Sequence, residues 1–394
     1  MKKIGLVTVT YVDNFGSHLQ SFALQQIIRS LGYETEVIKT DGLNKSISNR
    51  RTKYVLSRWY DWGEMKEYAK LLIKKLAKII DKDFKKVLAD RRKMFNDFTR
   101  NNYTFSPITH SWDELSELCK SAYSTVVVGS DQNWRPANIA GGYYTLEFVP
   151  DEINKIAYST SFGISYVIPA QQKKAKHFLS RLNHISVREE SGKAIVKELT
   201  NRDVMVVCDP TILLNKQQWS LYIEEKTQVN LKKYTDEPYI LCYFLSENQR
   251  QRQFALNLKK ETGLKIISIL YGEGRYYKED ERFFDEALYS IGPIDFVRLI
   301  SKAAFICTDS FHGCAFSLIF ERQFYAFYKS KPSSKMSVNS RLDSMLGWAG
   351  ALDRIVKDDD YQIDLSNQID YSIVDSNIDK MRAMSMDYLK ESLV

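Results

Sequence analysis

The sequence predicts an α/β protein of two domains that face each other across a cleft, with mostly parallel sheets. Three observations favour this class. The chain has 394 residues, which is too long for one ordinary core and fits two domains. Short apolar segments alternate with amphipathic helical segments in both halves. Several strands end in polar residues, and the carboxyl ends of parallel strands are where open α/β sheets bind ligands.

The composition is typical of a globular protein, with 44% hydrophobic and 27% charged residues, and it excludes disordered and fibrous classes. The net charge of +7 favours acidic substrates or an anionic surface, and without a nucleic-acid motif it predicts no nucleic-acid partner. The five cysteines have no CxxC spacing and the histidines no metal-like spacing, so we predict reduced thiols and no metal site. Neither a signal-peptide core nor a membrane span is evident, so we expect a cytoplasmic protein.

Residues 1–223 are predicted to form the N-terminal domain, which opens with a β-α-β unit. Residues 4–10 and 35–39 are the predicted strands, and residues 17–31 carry a helical apolar stripe between them. The loop after the first strand contains Asn14 and lacks a GxGxxG pattern, which argues against a dinucleotide site. The remaining predicted elements of this domain are strands 124–128, 156–161, 184–187 and 204–208 and helices 169–182 and 191–199.

Residues 64–96 form a predicted basic helix, in which lysines and arginines are interleaved with an apolar face. Such a helix can lie on an anionic bilayer or face a lipid-linked phosphate, which would give peripheral membrane contact. The alternative is that its apolar stripe packs on the domain and its charges are solvated.

Residues 224–238 are charged and end in proline, and we interpret them as the interdomain linker. The alternation of strands and helices then restarts, so residues 239–376 are predicted to form the C-terminal domain. Residues 377–394 are predicted to be a helix that packs back across the domains.

One stretch of the C-terminal domain has the pattern of an active-site turn. Residues 303–306 are apolar and predict a buried strand, and apolar residues at helical spacing begin at Phe311. His312 then lies at a helix start, where unpaired N–H groups favour an anionic ligand and an imidazole can transfer a proton near neutral pH. The alternative is that Asp309 or Ser310 is only the N-cap of the helix and His312 is structural.

Five motifs occur in an order that carries a family resemblance. They are Asn14-Phe15-Gly16-Ser17-His18-Leu19-Gln20-Ser21-Phe22-Ala23-Leu24, Gly129-Ser130-Asp131-Gln132-Asn133-Trp134, Ser186-Val187-Arg188-Glu189, Cys208-Asp209-Pro210-Thr211 and Asp309-Ser310-Phe311-His312-Gly313. With these motifs the chain resembles the polysaccharide pyruvyl transferase family over roughly residues 4–348.

The resemblance implies a GT-B-like architecture of two Rossmann-like domains. It also implies transfer of the enolpyruvyl unit of phosphoenolpyruvate to two hydroxyls of a sugar, which gives a pyruvate ketal and phosphate in exopolysaccharide or capsule biosynthesis. No cofactor is implied besides the donor substrate. The catalytic histidine of the family corresponds to His312, and the family arginine two residues before it is matched here by Ser310.

The donor carries a carboxylate and a phosphate, so its site needs fixed cations and a helix N-terminus. Arg188 is the first candidate, and Arg341 is a candidate to replace the arginine absent at Ser310. His312 is the expected general acid or base, and Asp131 is expected to orient the sugar or accept its proton. The other expected substrate-binding residues are Ser310, Asn14, Ser130 and Asn133.

Each of these assignments has a structural alternative. Arg188 beside its neighbouring glutamates can be a structural ion pair, Asp131 a turn-forming residue and Arg341 a surface residue at a helix start. Two other functions also fit the sequence. One is a GT-B-type glycosyltransferase that uses a nucleotide-sugar, and the other is a catalytically silent glycan-binding protein. The acceptor is expected to be a sugar or a lipid-linked oligosaccharide.

Overall fold

Two parallel β-sheets form the framework of the protein, as the sequence predicts. The computed structural model describes residues 3–58, 82–227, 229–270, 283–329, 339–357 and 362–394. Within these ranges one sheet has six strands in the order β2-β1-β3-β4-β5-β6, and the other has five in the order β11-β10-β7-β8-β9. Every strand pair in both sheets is parallel. All carboxyl strand ends of a sheet therefore lie on one edge.

The strands are short apolar segments, as expected for parallel sheets that are covered on both faces. The strands of the first sheet are β1 Lys3–Val7, β2 Thr35–Val37, β3 Tyr123–Val128, β4 Asn154–Thr160, β5 His184–Val187 and β6 Met205–Val206. Those of the second sheet are β7 Tyr239–Tyr243, β8 Lys265–Ile269, β9 Glu286–Leu288, β10 Phe305–Thr308 and β11 Gln323–Ala326.

Helices connect successive strands, and side-chain caps or an early proline define many of their starts. The helices of the N-terminal half are α1 Phe15–Ser30, α2 Asn44–Leu56, α3 Lys82–Asn102, α4 Trp112–Ala122, α5 Pro136–Gly141, α6 Pro169–Ser180, α7 Glu190–Thr200, α8 Pro210–Leu213 and α9 Lys216–Lys226. Those that follow are α10 Lys232–Thr235, α11 Gln249–Thr262, α12 Pro293–Lys302, α13 Phe311–Ile319, α14 Ser340–Ala349 and α15 Tyr371–Leu393.

Several predicted boundaries differ from the structure. The first strand ends at Val7 rather than at residue 10, and the buried strand predicted at 303–306 is β10, which lies two residues later. The segment interpreted as a linker contains the end of α9 and the short helix α10. The C-terminal helix begins at Tyr371 rather than at residue 377, because the Asp370 side chain accepts a hydrogen bond from Ser372 N and caps it.

The predicted basic helix of residues 64–96 lies partly outside the described residues, which exclude 59–81. Its described part belongs to α3, which continues to Asn102. No helix in the described ranges has both the length and the apolar character that crossing a membrane requires.

The two halves share one apolar core. The largest buried cluster contains Leu6 of β1 in the first sheet and Leu241 of β7 in the second, while two smaller clusters lie each within one half. Cys208 N, at the edge of the first sheet, donates to Ser385 Oγ of α15 at 3.0 Å. The same helix reaches the second half, where Asn377 Nδ2 donates to the carbonyl of Ala349 at 3.3 Å.

Near the cleft, aromatic rings and one buried arginine join the halves. The ring of Phe15, at the start of α1, stacks on Phe296 of α12 with 4.7 Å between centroids. Arg91 of α3 lies over the Phe15 ring at 4.5 Å. Its Nη1 donates to the carbonyl of Leu270 at 2.9 Å and its Nη2 to that of Asp13 at 3.3 Å. These contacts hold the carboxyl edges of the two sheets against each other.

Candidate active site

A cavity of about 320 Å³ lies between the carboxyl edges of the two sheets. Turns from both halves line it, so the alternation of strands read from the sequence does deliver polar side chains to one crevice. The first half contributes the loop after β1 and the turn after β3, and the second half contributes the turn after β10 and the start of α14. The predicted site residues that line the cavity are Asn14, Asp131, Asn133, Ser310, His312 and Arg341.

His312 is a buried residue in the first turn of α13. Ser310 is the N-cap of this helix, since its hydroxyl accepts a hydrogen bond from Gly313 N at 3.3 Å. The imidazole packs directly on the backbone of α1, where a Cβ on Gly16 would lie 2.0 Å from Nδ1 of His312. Gly16 is therefore required for the histidine to occupy this position.

Asp209 links His312 to the first sheet. This residue follows β6, is 1% exposed, and caps α8 by accepting hydrogen bonds from Thr211. Its Oδ2 lies 3.5 Å from Nε2 of His312 and accepts from Ser130 Oγ at 2.7 Å. Burial alone would raise the pKa of Asp209, but His312, Arg188 and the Thr211 amide stabilise its charge and hold that pKa well below its usual range.

Arg188 follows β5 and is only 2% exposed. Its Nη1 donates to Asp209 Oδ2 at 2.9 Å, and its Nη2 lies 3.8 Å from Oδ1 of Asp131. The guanidinium also lies 4.5 Å over the ring of Phe311. Among the described residues, Nε and Nη2 of Arg188 have no hydrogen-bond partner. The structure thus places Arg188, Asp131 and His312 close together around Asp209, but Arg188 and Ser130 lie behind the cavity and do not line it.

Asp131 has a left-handed backbone with φ 85°, in the tight turn that follows β3. Its carboxylate accepts hydrogen bonds from Ser17 Oγ at 2.5 Å and from Gln132 N at 2.8 Å. Burial alone would raise the pKa of Asp131, but Arg188, His312 and the Ser17 hydroxyl together hold it below its ordinary value. Asp131 is therefore an ionised hydrogen-bond acceptor at neutral pH.

Arg341 is half-buried at the start of α14 and reaches the cavity from the second half. The Gln132 side chain faces it, and its amide oxygen, when turned toward the guanidinium, accepts from Nη1 at 2.8 Å. Burial and the nearby Arg188 lower the pKa of Arg341 to about 10, so it stays charged at neutral pH. The negative charge of Glu189 acts in the opposite direction and raises the pKa of Arg341.

Glu189 is itself fully buried, and burial raises the pKa of its carboxyl. Ser161 Oγ and Phe162 N donate to its Oε1 and partly offset this effect.

The other predicted ligands occupy structural positions. Asn14 caps α1 by accepting from Ser17 N at 3.1 Å, and it lines the cavity. Asn133 donates to the carbonyls of Gly129 and Ser130, and its buried Oδ1 has no partner in the described part of the chain. Ser130 is fully buried and donates to Asp209. Direct substrate contact by these residues stays a prediction.

Asp209, Glu189 and Gln132 lie in the sequence motifs, but the sequence alone predicted no site role for them. Asp209 precedes a proline at a strand end, which indicates only a helix cap. The contact of Asp209 with His312 spans the two halves and has no local signature. Asp209 could have been found from its position in the chain, because every charged residue that follows the carboxyl end of a parallel strand is a candidate for the same crevice.

The site combines anion binding with proton transfer. Arg341, His312, Asp131 and the N-termini of α1 and α13 line the cavity, and the buried pair of Arg188 and Asp209 lies behind them. Such a site favours a small ligand with more than one negative charge. The described residues contain no cluster of three or more His, Cys, Asp or Glu side chains that would hold a metal ion.

Known structures share the fold of this chain. It is similar to UDP-GlcNAc 2-epimerase from Neisseria meningitidis bound to UDP-GlcNAc, with 9% identity, a TM-score of 0.52, and coverage of 100% of this chain and 99% of that one. It is also similar to MnaA of S. aureus in a co-structure with UDP, with 11% identity, a TM-score of 0.50 and coverage of 91% and 84%. At these identities the likeness shows the fold alone, which is GT-B-like.

No curated protein matches the sequence. The family model described as polysaccharide pyruvyl transferase matches residues 14–330. This range includes all five sequence motifs and every described strand except β1. The chain belongs to the polysaccharide pyruvyl transferase family.

Proposed function

We propose that the protein transfers the enolpyruvyl unit of phosphoenolpyruvate to two hydroxyls of a sugar, with release of phosphate. The observation that carries this proposal is a cavity that His312, Asp131 and Arg341 line, with the buried Arg188 behind it at 3.8 Å from Asp131 Oδ1. This arrangement joins a proton-transfer group to two fixed cations. A donor with a carboxylate and a phosphate needs that combination.

Two arginines and a helix start are proposed to hold the donor. Arg188 contributes its positive charge from behind Asp131, with its Nη2 3.8 Å from Asp131 Oδ1, and Arg341 lines the cavity from the second half. Arg341 is thereby the proposed replacement for the arginine that the family has at Ser310. Ser310 itself uses its hydroxyl to cap α13 by accepting from Gly313 N, and the positive end of that helix dipole lies at the cavity.

The proposed reaction adds one proton to the methylene carbon and two sugar oxygens to the adjacent carbon. One hydroxyl oxygen forms the first C–O bond, and the second displaces phosphate as the C–O bond to phosphate breaks. The two hydroxyls lose one proton each. In net balance, one proton is added to the methylene carbon, which becomes the methyl group, and the other is carried away by phosphate. His312 is the proposed group that moves these protons, because it is the imidazole that lines the cavity.

Two aspartates have different proposed roles. Asp209 is a positioning residue, since it contacts His312 and Arg188 and holds both in orientation. Asp131 lines the cavity and, as an ionised acceptor, orients a sugar hydroxyl; the lowered pKa makes it a weak base. The acceptor is a sugar, either free or lipid-linked. Exposed Lys85, Lys86 and Lys93 of α3 support contact with an anionic lipid carrier or membrane face.

Replacing His312 by Ala tests the proposal. We expect the wild type to release phosphate from phosphoenolpyruvate only when an accepted glycoside is present, and to add the mass of a pyruvate ketal to that glycoside. The His312→Ala variant should lose both signals while its circular dichroism spectrum and unfolding midpoint stay close to those of the wild type. Unchanged turnover would remove His312 from the mechanism, and turnover of a nucleotide-sugar without any response to phosphoenolpyruvate would favour a glycosyltransferase.

A further inference from the structure

A second cavity of about 300 Å³ lies next to the candidate active site. The loop between β1 and α1 separates the two cavities. Val9 and Val12 of this loop line the active-site cavity, while Thr10 and Asp13 line the second one. Tyr11 lines both. The two cavities are therefore neighbours along the carboxyl edge of the first sheet, with the Tyr11 side chain at their common border.

The second cavity has the chemistry of a site for a neutral polar ligand. Lys39 and Arg92 are balanced by Asp13 and Asp41, and Arg92 Nε donates to Asp13 Oδ2 at 3.1 Å. It thus lacks the surplus of cations that distinguishes the active-site cavity. Its volume lies at the lower end of the range for small-molecule sites, which is about 300–1,000 Å³.

Several polar side chains of this cavity are available to a ligand. In the part of the chain that the structure describes, the side chains of Thr10, Thr40, Asp41 and Asn96 make no hydrogen bond, although all four line the cavity. They offer hydroxyl, carboxylate and amide groups from three different elements. These are the groups that bind sugar hydroxyls, because hydroxyl and amide groups donate or accept and a carboxylate accepts.

The Tyr11 ring supplies an apolar face between the cavities. This side chain is 55% exposed, so it is open to a ligand. Its hydroxyl lies 3.0 Å from that of Tyr144, a buried residue of the active-site cavity. The contact fixes the ring at the border. An exposed aromatic ring with a fixed polar end is suited to stack against the apolar face of a sugar.

We propose that this second cavity, bounded by Tyr11, Asp41 and Asn96, binds the penultimate sugar residue of a glycan acceptor whose terminal residue lies in the active-site cavity. The inference rests on the proposed function and deepens it, because it makes an oligosaccharide, rather than a single sugar, the preferred acceptor. The glycan crosses Tyr11 between the two cavities.

Binding of labelled protein to an array of immobilised mono- and oligosaccharides tests this inference without turnover. We compare the wild type with Asn96→Trp, which fills the cavity, and with Asn101→Trp, an exposed substitution on the same helix that lies outside it. We expect the wild type and Asn101→Trp to bind oligosaccharides in preference to the corresponding monosaccharides. Asn96→Trp should bind those oligosaccharides at least about tenfold more weakly, as the loss of a few hydrogen bonds and a stacking contact predicts.

Equal oligosaccharide binding by Asn96→Trp and the wild type would overturn the inference, as would the absence of glycan binding by the wild type. A second measurement separates this outcome from a failure of the proposed function. Phosphoenolpyruvate should raise the melting temperature of the wild type and of both variants, since the donor lies in the other cavity. Glycan binding that depends on Asn96 without any response to phosphoenolpyruvate would support the glycan site and overturn the pyruvyl transfer.

Discussion

The Oδ2 atom of Asp209 lies 3.5 Å from Nε2 of His312, although the two residues follow strands of different sheets. The same oxygen accepts from Arg188 Nη1 at 2.9 Å. One buried carboxylate therefore orients both the proposed proton-transfer group and a proposed donor-binding group. This arrangement makes the geometry of the site depend on how the two halves pack.

Replacing Asp209 by Asn should reduce both activity and stability. The substitution keeps the shape of the side chain but leaves the buried Arg188 guanidinium with only the more distant carboxylate of Asp131, at 3.8 Å. Breaking a buried ion pair typically costs about 3–5 kcal/mol. We expect a lower free energy of unfolding in urea and a lower kcat for phosphate release. Ser130→Ala is the matched comparison, because it removes one hydrogen bond to Asp209 and keeps the charge. A loss as large in Ser130→Ala would contradict a role for the charge.

Replacing Gly16 by Ala should displace the His312 ring. The added Cβ would lie 2.0 Å from Nδ1 and 2.5 Å from Cγ of His312, so the imidazole has to move. A shift of this size costs roughly a hundredfold in kcat, while the helix around Gly16 gains propensity. Steady-state kinetics and urea unfolding measure the two effects. Gly347→Ala is the control, since its Cβ would meet only Leu352 Cδ1 at 3.9 Å; wild-type kcat in Gly16→Ala would refute the packing argument.

Replacing Arg341 by Gln should raise the KM for phosphoenolpyruvate by about tenfold or more, because one fixed cation of the donor site is lost and a charged hydrogen bond contributes about 1.5–3 kcal/mol. The exposed Arg100 of α3 provides the control substitution, Arg100→Gln, with the same change of net charge. Both variants are measured by phosphate release over a range of donor concentrations. A similar KM increase in Arg100→Gln would indicate a general charge effect.

Restoring the family arginine should compensate for the loss of Arg341. We expect Ser310→Arg in the Arg341→Gln background to recover part of the lost donor affinity, since both positions line the same cavity. Recovery will be incomplete, because removal of the Ser310 cap costs about 1 kcal/mol of helix stability. Donor affinity is measured by the thermal shift that phosphoenolpyruvate produces. Affinity no better than that of the single Arg341→Gln variant would argue against the replacement.

His18 should make the protein less stable in mild acid. Burial lowers the pKa of His18 to about 4, while its Nε2 donates to the Val12 carbonyl at 2.8 Å. As the pH falls from about 6.5 toward 4, the unfolded chain binds a proton that the folded protein does not. The stabilisation is thus complete above pH 6.5 and decreases by up to about 1.4 kcal/mol per pH unit below it. We measure the free energy of unfolding in urea at several pH values across this range. It should depend less steeply on pH in His18→Gln than in the wild type, and the same pH dependence in both would contradict the lowered pKa of His18.

The strands and the strand-end turns could be predicted because their signals are local. Apolar runs without charge predicted strands of both sheets, and the change to helical spacing at Phe311 predicted the start of α13. The predicted end of β1 was wrong because Thr8 and Val9 are residue types that favour strands. In the fold, the Thr8 hydroxyl contacts Ser21 and accepts from Gln20 Nε2, and the Val9 carbonyl accepts from Ser21 Oγ. Such contacts with α1 are not visible in strand propensity.

The contacts within the site could not be predicted in the same way. The sequence placed His312, Arg188 and Asp131 at strand ends, but it did not indicate that Asp209 would connect them. That connection depends on the packing of α13 against α8, which are far apart in the chain. Gly16 illustrates the same limit. The reason that this position excludes any side chain is visible only in the fold, where the His312 ring lies against it.

The apolar cluster that contains Leu6 of one sheet and Leu241 of the other has a consequence for engineering. Cutting the chain between its halves would expose a large apolar surface on each fragment to water, so either fragment alone should aggregate on expression. Heating the intact protein should accordingly give a single calorimetric endotherm, in which the halves melt as one cooperative unit.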